Sequence, residues 1–177
     1  ENQKTIFYTA MFHTMQFPRE MSENGRYYSE LDDKIHNGDS YTDFSLWDTF
    51  RALHPLLIFT EPDRINPIIT AMLQMFKEGG RLPMWPNPAE TNIMIGTHAD
   101  DVIADAYIKG FRGFDADLAY KAVFKDVMVP PIDDTILRYG DRDLWTGYEA
   151  EAGLTYFKKV GYVPVDKTAE SVSRTIE

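Results

Sequence analysis

The sequence predicts an all-α fold. In the best-defined segment, from Ile65 to Phe76, apolar side chains recur at intervals of three and four residues, which is typical of one buried helix face. Glycines, prolines and capping residues separate this segment from others of helical length. Alternation around Arg26–Ser29 suggests at most a short β-hairpin, and no regular strand pattern is visible elsewhere.

Local signals place the predicted helices along the chain. Pro18 stops the first, Pro55 is expected to kink or end the second, and Gly79 and Gly80 stop the third. Thr97 and Asp115 are expected to cap the fourth and fifth. The predicted helices cover Gln3–Phe17, Leu46–Leu57, Pro62–Gly79, His98–Lys109, Ala116–Met128 and Tyr148–Lys159, with a turn-like segment over Thr135–Trp145 and the start of another helix over Thr168–Glu177.

Composition narrows the possible partners. The chain has 177 residues, 44% of them hydrophobic, which suffices for the core of one domain. Its net charge of -10 opposes binding to phosphate backbones or anionic lipid, so we expect neither a nucleic-acid partner nor membrane insertion. There is no cysteine, which excludes disulfides, thiolate metal sites and cysteine nucleophiles.

The run from Tyr41 to Arg51 holds the most distinctive chemistry. It combines two acids, a tryptophan, an arginine and several hydroxyls at a predicted loop-to-helix junction. An aromatic ring can pack on the apolar face of a pyranose while acids and hydroxyls pair with its hydroxyl groups. The run is therefore a candidate sugar site.

This run, together with the segments 7–14, 80–86 and 94–100, resembles the calcium-dependent exo-acting α-mannosidases of glycoside hydrolase family 92. The resemblance implies that residues 1–177 are one partial domain, the first part of an (α/α)6 catalytic toroid. The family's N-terminal β-sandwich and C-terminal catalytic half are then expected to be absent from this chain. It also implies hydrolysis of non-reducing terminal α-mannosidic bonds with inversion, and α-1,2 is the linkage that we expect.

The resemblance also implies a partner, a cofactor and a compartment. Mannose-containing oligosaccharides or N-glycans are the implied substrates, and calcium is the implied cofactor, with its ligands expected mostly outside this chain. The general acid and general base are likewise expected outside it, so we predict no activity for the chain alone. Bacterial relatives imply export to the periplasm or the cell surface.

Trp47 and Asp48 are the leading candidates for substrate binding. Ser45 and Asp48 have the spacing of a helix capping box, which by itself favours a structural role for the acid. The resemblance instead implies that Trp47 and Asp48 line the subsite for the non-reducing mannose. Trp47 alone would be interpreted as a core residue.

Four further residues are weaker candidates for the same sugar site. Asp43 could contact substrate or form an Asx turn, and Arg51 could orient Asp48 or form a structural ion pair. His98 at a helix start could donate to a sugar hydroxyl or a neighbouring acid, whereas Thr97 and Asp100 are expected to cap. Trp85, in a proline-rich loop with Glu90, could be a sugar platform or a packing residue.

Two other functions stay open on the residues alone. The chain could be a carbohydrate-binding or interaction domain without catalysis, or it could belong to a toroid glycosidase that acts on another sugar. Nucleotide-binding and serine-hydrolase motifs do not occur.

Overall fold

The computed structural model describes residues 1–91, 94, 96–131 and 154–162. These residues are mostly helical, as predicted. The helices are α1 (Asn2–Thr14), α2 (Leu46–Thr49), α3 (Leu53–Thr60), α4 (Pro62–Gly79), α5 (Ala99–Ile108), α6 (Ala116–Met128) and α7 (Leu154–Val160). The predicted Thr135–Trp145 turns, the start of the Tyr148–Lys159 helix and the Thr168–Glu177 helix lie outside the described residues.

Four short strands form two antiparallel pairs between α1 and α2. The strands are β1 (Arg19–Glu20), β2 (Arg26–Ser29), β3 (Lys34–Asn37) and β4 (Tyr41–Thr42). The β2–β3 pair is the hairpin that the alternation suggested, and the β1–β4 pair was not predicted. Because β1 pairs with β4, the long segment between α1 and α2 returns to its own start, and α2 begins next to this small sheet.

Helix α4 is the centre of the hydrophobic core. Its predicted apolar face is buried, and burial of each large aliphatic side chain contributes about 1.5–3 kcal/mol. It begins with Pro62 at its N-terminus and ends at Gly80, whose φ of 86° is the left-handed conformation of a helix C-cap. The core joins α4 to the other helices through Leu57 of α3, Val102 and Ile103 of α5, and Ala119 and Ala122 of α6.

The single helix predicted after Ser45 is wrong, because the structure has two helices with a break at residues 50–52. Pro55 favours this break, although Pro67 is accommodated inside the continuous helix α4. In a continuous helix the ring of Pro55 would clash with the carbonyl of Arg51 four residues earlier, and that carbonyl would lose its hydrogen bond. With the break before it, Pro55 lies in the first turn of α3, where no N–H is needed.

The ends of α5 and α6 show how well capping was predicted. Asp115 caps α6 as expected, since its carboxylate accepts from the backbone N–H of Leu118 at 2.9 Å. Helix α5 begins one residue later than predicted, and its N-cap position is His98 rather than Thr97. The side chain of His98 makes no capping hydrogen bond.

Arg81 holds the loop after α4 against the C-terminal end of α6. Its buried guanidinium donates to the carbonyls of Lys125 at 2.8 Å and Val129 at 2.6 Å, and it lies 3.4 Å from the carboxylate of Asp126. Burial raises the pKa of Asp126 from 3.8 to about 6, although the neighbouring Arg81 opposes the shift.

Helix α1 has no buried residue. Its large apolar side chains Ile6, Phe7, Tyr8 and Phe12 are each more than half exposed. None of the helices in the described ranges combines the length and apolar character needed to span a bilayer.

Candidate functional site

Trp47 and Asp48 lie on the short helix α2, directly after a sharp turn. Ser45 adopts a left-handed backbone with φ of 46°, which redirects the chain into the helix. Leu46 is buried at 1% exposure and anchors the helix to the core, whereas Asp48 is exposed and Trp47 is half-buried. The turn thus presents the acid to solvent and the indole at the edge of the core.

The capping box that the sequence allowed at Ser45 is not formed. Ser45 makes no side-chain capping bond, because the left-handed turn departs from the extended backbone that such a cap uses. The backbone N–H of Asp48 donates to the carbonyl of Ser45 at 3.0 Å. Among the described residues the Asp48 carboxylate has neither a hydrogen bond nor an ion pair, so it can accept from a ligand without breaking an existing contact.

The indole of Trp47 has one polar atom that the fold leaves unsatisfied. Its Nε1 is buried and has no acceptor within the part of the chain that the structure describes. Most buried polar groups in folded proteins are hydrogen-bonded, and leaving one unpaired costs about 1–3 kcal/mol. An acceptor that reached this N–H after a small movement would recover part of that cost.

Arg51 does not pair with Asp48, contrary to one of its two predicted roles. Its guanidinium carbon instead lies 5.4 Å from the centre of the Trp47 ring and 4.7 Å from that of Phe50. Each such cation–π contact contributes about 0.5–1 kcal/mol at an exposed position. Arg51 therefore covers the indole and joins it to the next ring.

Phe50 extends this arrangement to His98. The two rings are stacked with centroids 4.1 Å apart and planes 4° apart. Gly96 lies against the imidazole as well, and a Cβ added to it would be only 2.2 Å from Nε2 of His98, so only glycine fits there. We call Trp47, Arg51, Phe50, His98 and Gly96 the ring stack.

His98 is buried, at 3% exposure. Its Nδ1 lies 3.1 Å from a carboxylate oxygen of Asp101, one turn further along α5. This contact agrees with the prediction that His98 could interact with a neighbouring acid. The imidazole is enclosed by Phe50 on one side and by Gly96.

Asp43, near the start of the run from Tyr41 to Arg51, is held by an ion pair. It has a left-handed backbone with φ of 56°, its side chain is about nine-tenths buried, and it pairs with Arg19 at 3.4 Å. Its Oδ1 is buried without a donor among the described residues. Asp43 is thus fixed by Arg19, a partner that the sequence did not indicate.

Trp85 is positioned by Glu90 across a tight loop. The Glu90 carboxylate accepts from the backbone N–H groups of Met84 at 2.8 Å and Trp85 at 2.9 Å. Thr91 also donates its hydroxyl to the carbonyl of Trp85 at 2.7 Å. The Trp85 ring is half-buried. No hydrogen bond, ion pair or ring contact in the described ranges joins Trp85 or Asp43 to the ring stack.

The structure therefore brings together Trp47, Arg51 and His98, with Asp48 beside them. Sequence reasoning missed Phe50 and Gly96, which complete the stack. Phe50 falls within the helix predicted over Leu46–Leu57, and its spacing of four residues from Leu46 is typical of an apolar helix face. A glycine two residues before a predicted helix was the one available signal at Gly96.

A family model of the glycosyl hydrolase family 92 catalytic domain matches residues 1–177. The chain belongs to this family. An uncharacterized secreted glycosidase of Arthroderma benhamiae is 40% identical over 91 residues, which cover 46% of this chain and 10% of that protein.

Solved structures from the same family support the fold. An inverting mannosidase, BT2199, of Bacteroides thetaiotaomicron VPI-5482 superimposes with a TM-score of 0.72 at 32% identity, over 92% of this chain. The α-mannosidase BT3965 of Bacteroides thetaiotaomicron gives 0.75 at 33% identity over 97% of the chain, and one of its structures contains mannoimidazole. The chain spans 21% of the length of each of these relatives.

The resemblance to calcium-dependent members of family 92 implies a metal ion. Calcium takes several oxygen ligands from carboxylates, carbonyls and amides. Within the described ranges, no group of three or more His, Asp or Glu side chains is close enough together to hold a metal ion. These residues do not fit a calcium site, and we assign no ligand among them.

Proposed function

We propose that this chain is a segment of the catalytic domain of an exo-acting α-mannosidase and that it binds the non-reducing mannose. The observation that carries the proposal is the Asp48 carboxylate, exposed and unpaired among the described residues, next to an indole that the ring stack holds in place. The solved relatives named as mannosidases support mannose as the sugar.

Each member of the site has a role that follows from its position. The Asp48 carboxylate accepts from two mannose hydroxyls, because an unpaired acid at a helix start has free acceptor capacity. The Trp47 ring packs on the apolar face of the sugar, and Arg51 holds that ring. His98 acts through Phe50 as a positioning residue, because its own imidazole is buried.

The bond cleavage itself requires groups that we do not assign to this chain. Inversion needs a carboxylic acid at the leaving oxygen and a carboxylate roughly 6.5–9.5 Å away to activate water. We infer that both lie in parts of the intact domain beyond this chain, which supplies substrate-binding residues of the (α/α)6 toroid. Preference for α-1,2 bonds and export from the cell are parts of the same proposal.

The binding proposal is tested by titrating the 177-residue chain with methyl α-D-mannopyranoside and, separately, with the α-glucoside. The Nε1–H signal of Trp47, assigned with the Trp47→Phe variant, reports binding by NMR. Hydrogen bonds to a charged group contribute about 1.5–3 kcal/mol, so Asp48→Asn should weaken mannoside binding at least about tenfold. Asp63→Asn is the matched control, since Asp63 is an exposed acid in the first turn of α4.

Two results would overturn the binding proposal: equal affinity for the glucoside, or an Asp48→Asn variant that binds as tightly as the Asp63→Asn control. The catalytic part is tested by incubating the chain with α-1,2-mannobiose and calcium. We expect no mannose to be released. Release would show that the acid and base are present in this chain.

A further inference from the structure

A cleft lies beside the β2–β3 hairpin, and neither Trp47 nor Asp48 lines it. It is enclosed by the β2–β3 hairpin, by α4 and by the proline-rich loop that carries Glu90, and its volume is about 180 Å³. A single water needs about 10–15 Å³ on this scale, so the cleft has room for roughly a dozen atoms of that size. A hexopyranose has about that many non-hydrogen atoms.

The charge of the cleft selects the kind of ligand. Three carboxylates line it, those of Glu30, Glu78 and Glu90, and its lining residues in the described ranges include no lysine, arginine or histidine. Such a lining repels phosphates, sulfates and acidic sugars, because their charges would face carboxylates. The imidazole of His36 lies 3.8 Å from the Glu78 carboxylate, but His36 is not among the residues that line the cleft. The acidic lining favours a ligand that donates hydrogen bonds, which is what a neutral sugar with many hydroxyls does.

Glu78 and Glu90 are held in fixed positions before any ligand arrives. The hydroxyl of Tyr27 donates to Glu78, and Glu90 accepts from the backbone N–H groups described above. Burial, reinforced by Glu78, raises the pKa of Tyr27 above its usual range, so Tyr27 stays a donor across the physiological pH range. Thr42 donates its hydroxyl to the carbonyl of Pro88 at 2.7 Å and joins the loop to β4.

Apolar side chains supply the other surface that a sugar requires. Met21, Met75, Pro86 and Pro88 line the cleft alongside the acids. The C–H groups on one face of a pyranose can pack against such a wall while the hydroxyls on its edge reach carboxylates. Gln74 adds a polar group whose Oε1 is buried without a donor among the described residues.

From this geometry we propose that the cleft is a second sugar-binding subsite, which takes a neutral hexopyranose residue. The inference rests on the proposed function, because it assumes that the chain meets mannose-containing oligosaccharides. It goes beyond that function by assigning a separate site with its own residues, in which Glu78 and Glu90 accept from sugar hydroxyls and Met21 and Met75 pack against the ring.

Methionine methyl NMR tests the cleft separately from the Trp47 site. The chain carrying ¹³C-methyl methionine is titrated with methyl α-D-mannopyranoside and with α-1,2-mannobiose. We expect the methyl signals of Met21 and Met75 to shift with saturation, and those of buried Met72 and of Met15 beside α1 to stay unchanged. The Trp47 Nε1–H signal is recorded in the same titrations.

Variants identify the residues that bind. Glu78→Gln should weaken the saturable methyl shift at least about tenfold, whereas the exposed control Glu23→Gln should leave it unchanged. Because Glu78→Gln also alters the contact with Tyr27, Ala89→Phe serves as a second variant. Ala89 lines the cleft from the loop, and a phenyl ring there should fill it and abolish the shift.

The two signals separate the two proposals. If the Trp47 signal saturates and the Met21 and Met75 signals stay still, the second subsite is overturned and the proposed function stands. If only the methionine signals respond, the cleft stands and the Trp47–Asp48 site is wrong. If neither responds, both are overturned. A methionine shift with ethanolamine but not with either sugar would make the cleft a cation site and overturn the subsite.

Discussion

Replacing Gly96 with alanine should disrupt the ring stack that supports Trp47. The added Cβ would lie 2.2 Å from Nε2, 2.7 Å from Cδ2 and 2.9 Å from Cε1 of His98, all too close for carbon. The imidazole has no room to retreat, because it is 3% exposed and its ring stacks on Phe50 at 4.1 Å. Gly96 also has φ of 87°, a backbone conformation that alanine adopts only with strain.

The expected cost is the sum of those two effects. Overpacking a buried site costs about 1–3 kcal/mol, and a left-handed backbone costs a residue with a Cβ about 1–2 kcal/mol. Gly96→Ala should therefore lower the free energy of unfolding by roughly 2–5 kcal/mol. Gly110→Ala is the matched control, since Gly110 has φ of 97° but no atom within 4 Å of an added Cβ. Gly110→Ala should lower the free energy of unfolding only by the cost of the left-handed backbone, about 1–2 kcal/mol.

Urea unfolding followed by tryptophan fluorescence and by far-ultraviolet circular dichroism measures both variants. In the folded state, Gly96→Ala should also move the Trp47 Nε1–H signal, because displaced rings shift Phe50 and then Arg51, while Gly110→Ala should not. Equal destabilisation of the two variants within about 0.5 kcal/mol would show that His98 is not enclosed as described.

Two buried titratable groups predict opposite dependences of stability on pH. Burial lowers the pKa of His54 from 6.5 to about 4, so the unfolded chain binds more protons and the contribution of His54 to stability falls by about 3 kcal/mol as the pH drops from about 6.5 to 4. Burial raises the pKa of Asp126 from 3.8 to about 6, so the contribution of Asp126 falls by about 3 kcal/mol as the pH rises from about 4 to 6. In the unaltered chain the two contributions largely offset each other over this range, so each is measured after the other has been removed. Stability should fall with rising pH in His54→Leu and with falling pH in Asp126→Asn, whereas the exposed control His13→Gln should keep the offset profile. Urea unfolding at a series of pH values measures the free energy of unfolding of each variant. If that free energy changed with pH in the same direction in His54→Leu and in Asp126→Asn, the two pH effects would not belong to these two residues.

Local signals predicted the parts of the fold that depend on neighbouring residues. Helix α6 has the predicted bounds, because its cap at Asp115 and its apolar spacing both act within a few residues. The break before Pro55 was misplaced, because the clash of a proline ring falls on the carbonyl four residues earlier. The same rule does not place every break in this chain, because Pro67 lies inside the continuous helix α4.

The candidate site was only partly predictable, because its contacts join distant parts of the chain. Trp47 and Asp48 stood out through their residue types and through the family resemblance. The stack of Phe50 on His98 joins residues from two separate parts of the chain that no periodicity relates. The predicted capping box at Ser45 and Asp48 is not formed, because Ser45 has a left-handed backbone. The sequence could not show this, since the same spacing of residues also occurs in ordinary turns.

The exposed apolar side chains of α1 affect how the isolated chain should be handled. Four large apolar side chains of this helix are exposed to water: Ile6, Phe7, Tyr8 and Phe12. Dyes whose fluorescence increases on binding exposed apolar surface should bind the native chain, and concentrated samples should self-associate and scatter light. Replacing Phe7 and Phe12 with glutamine should lower the dye fluorescence and the light scattering, and it should leave the packing of the core around α4 unchanged.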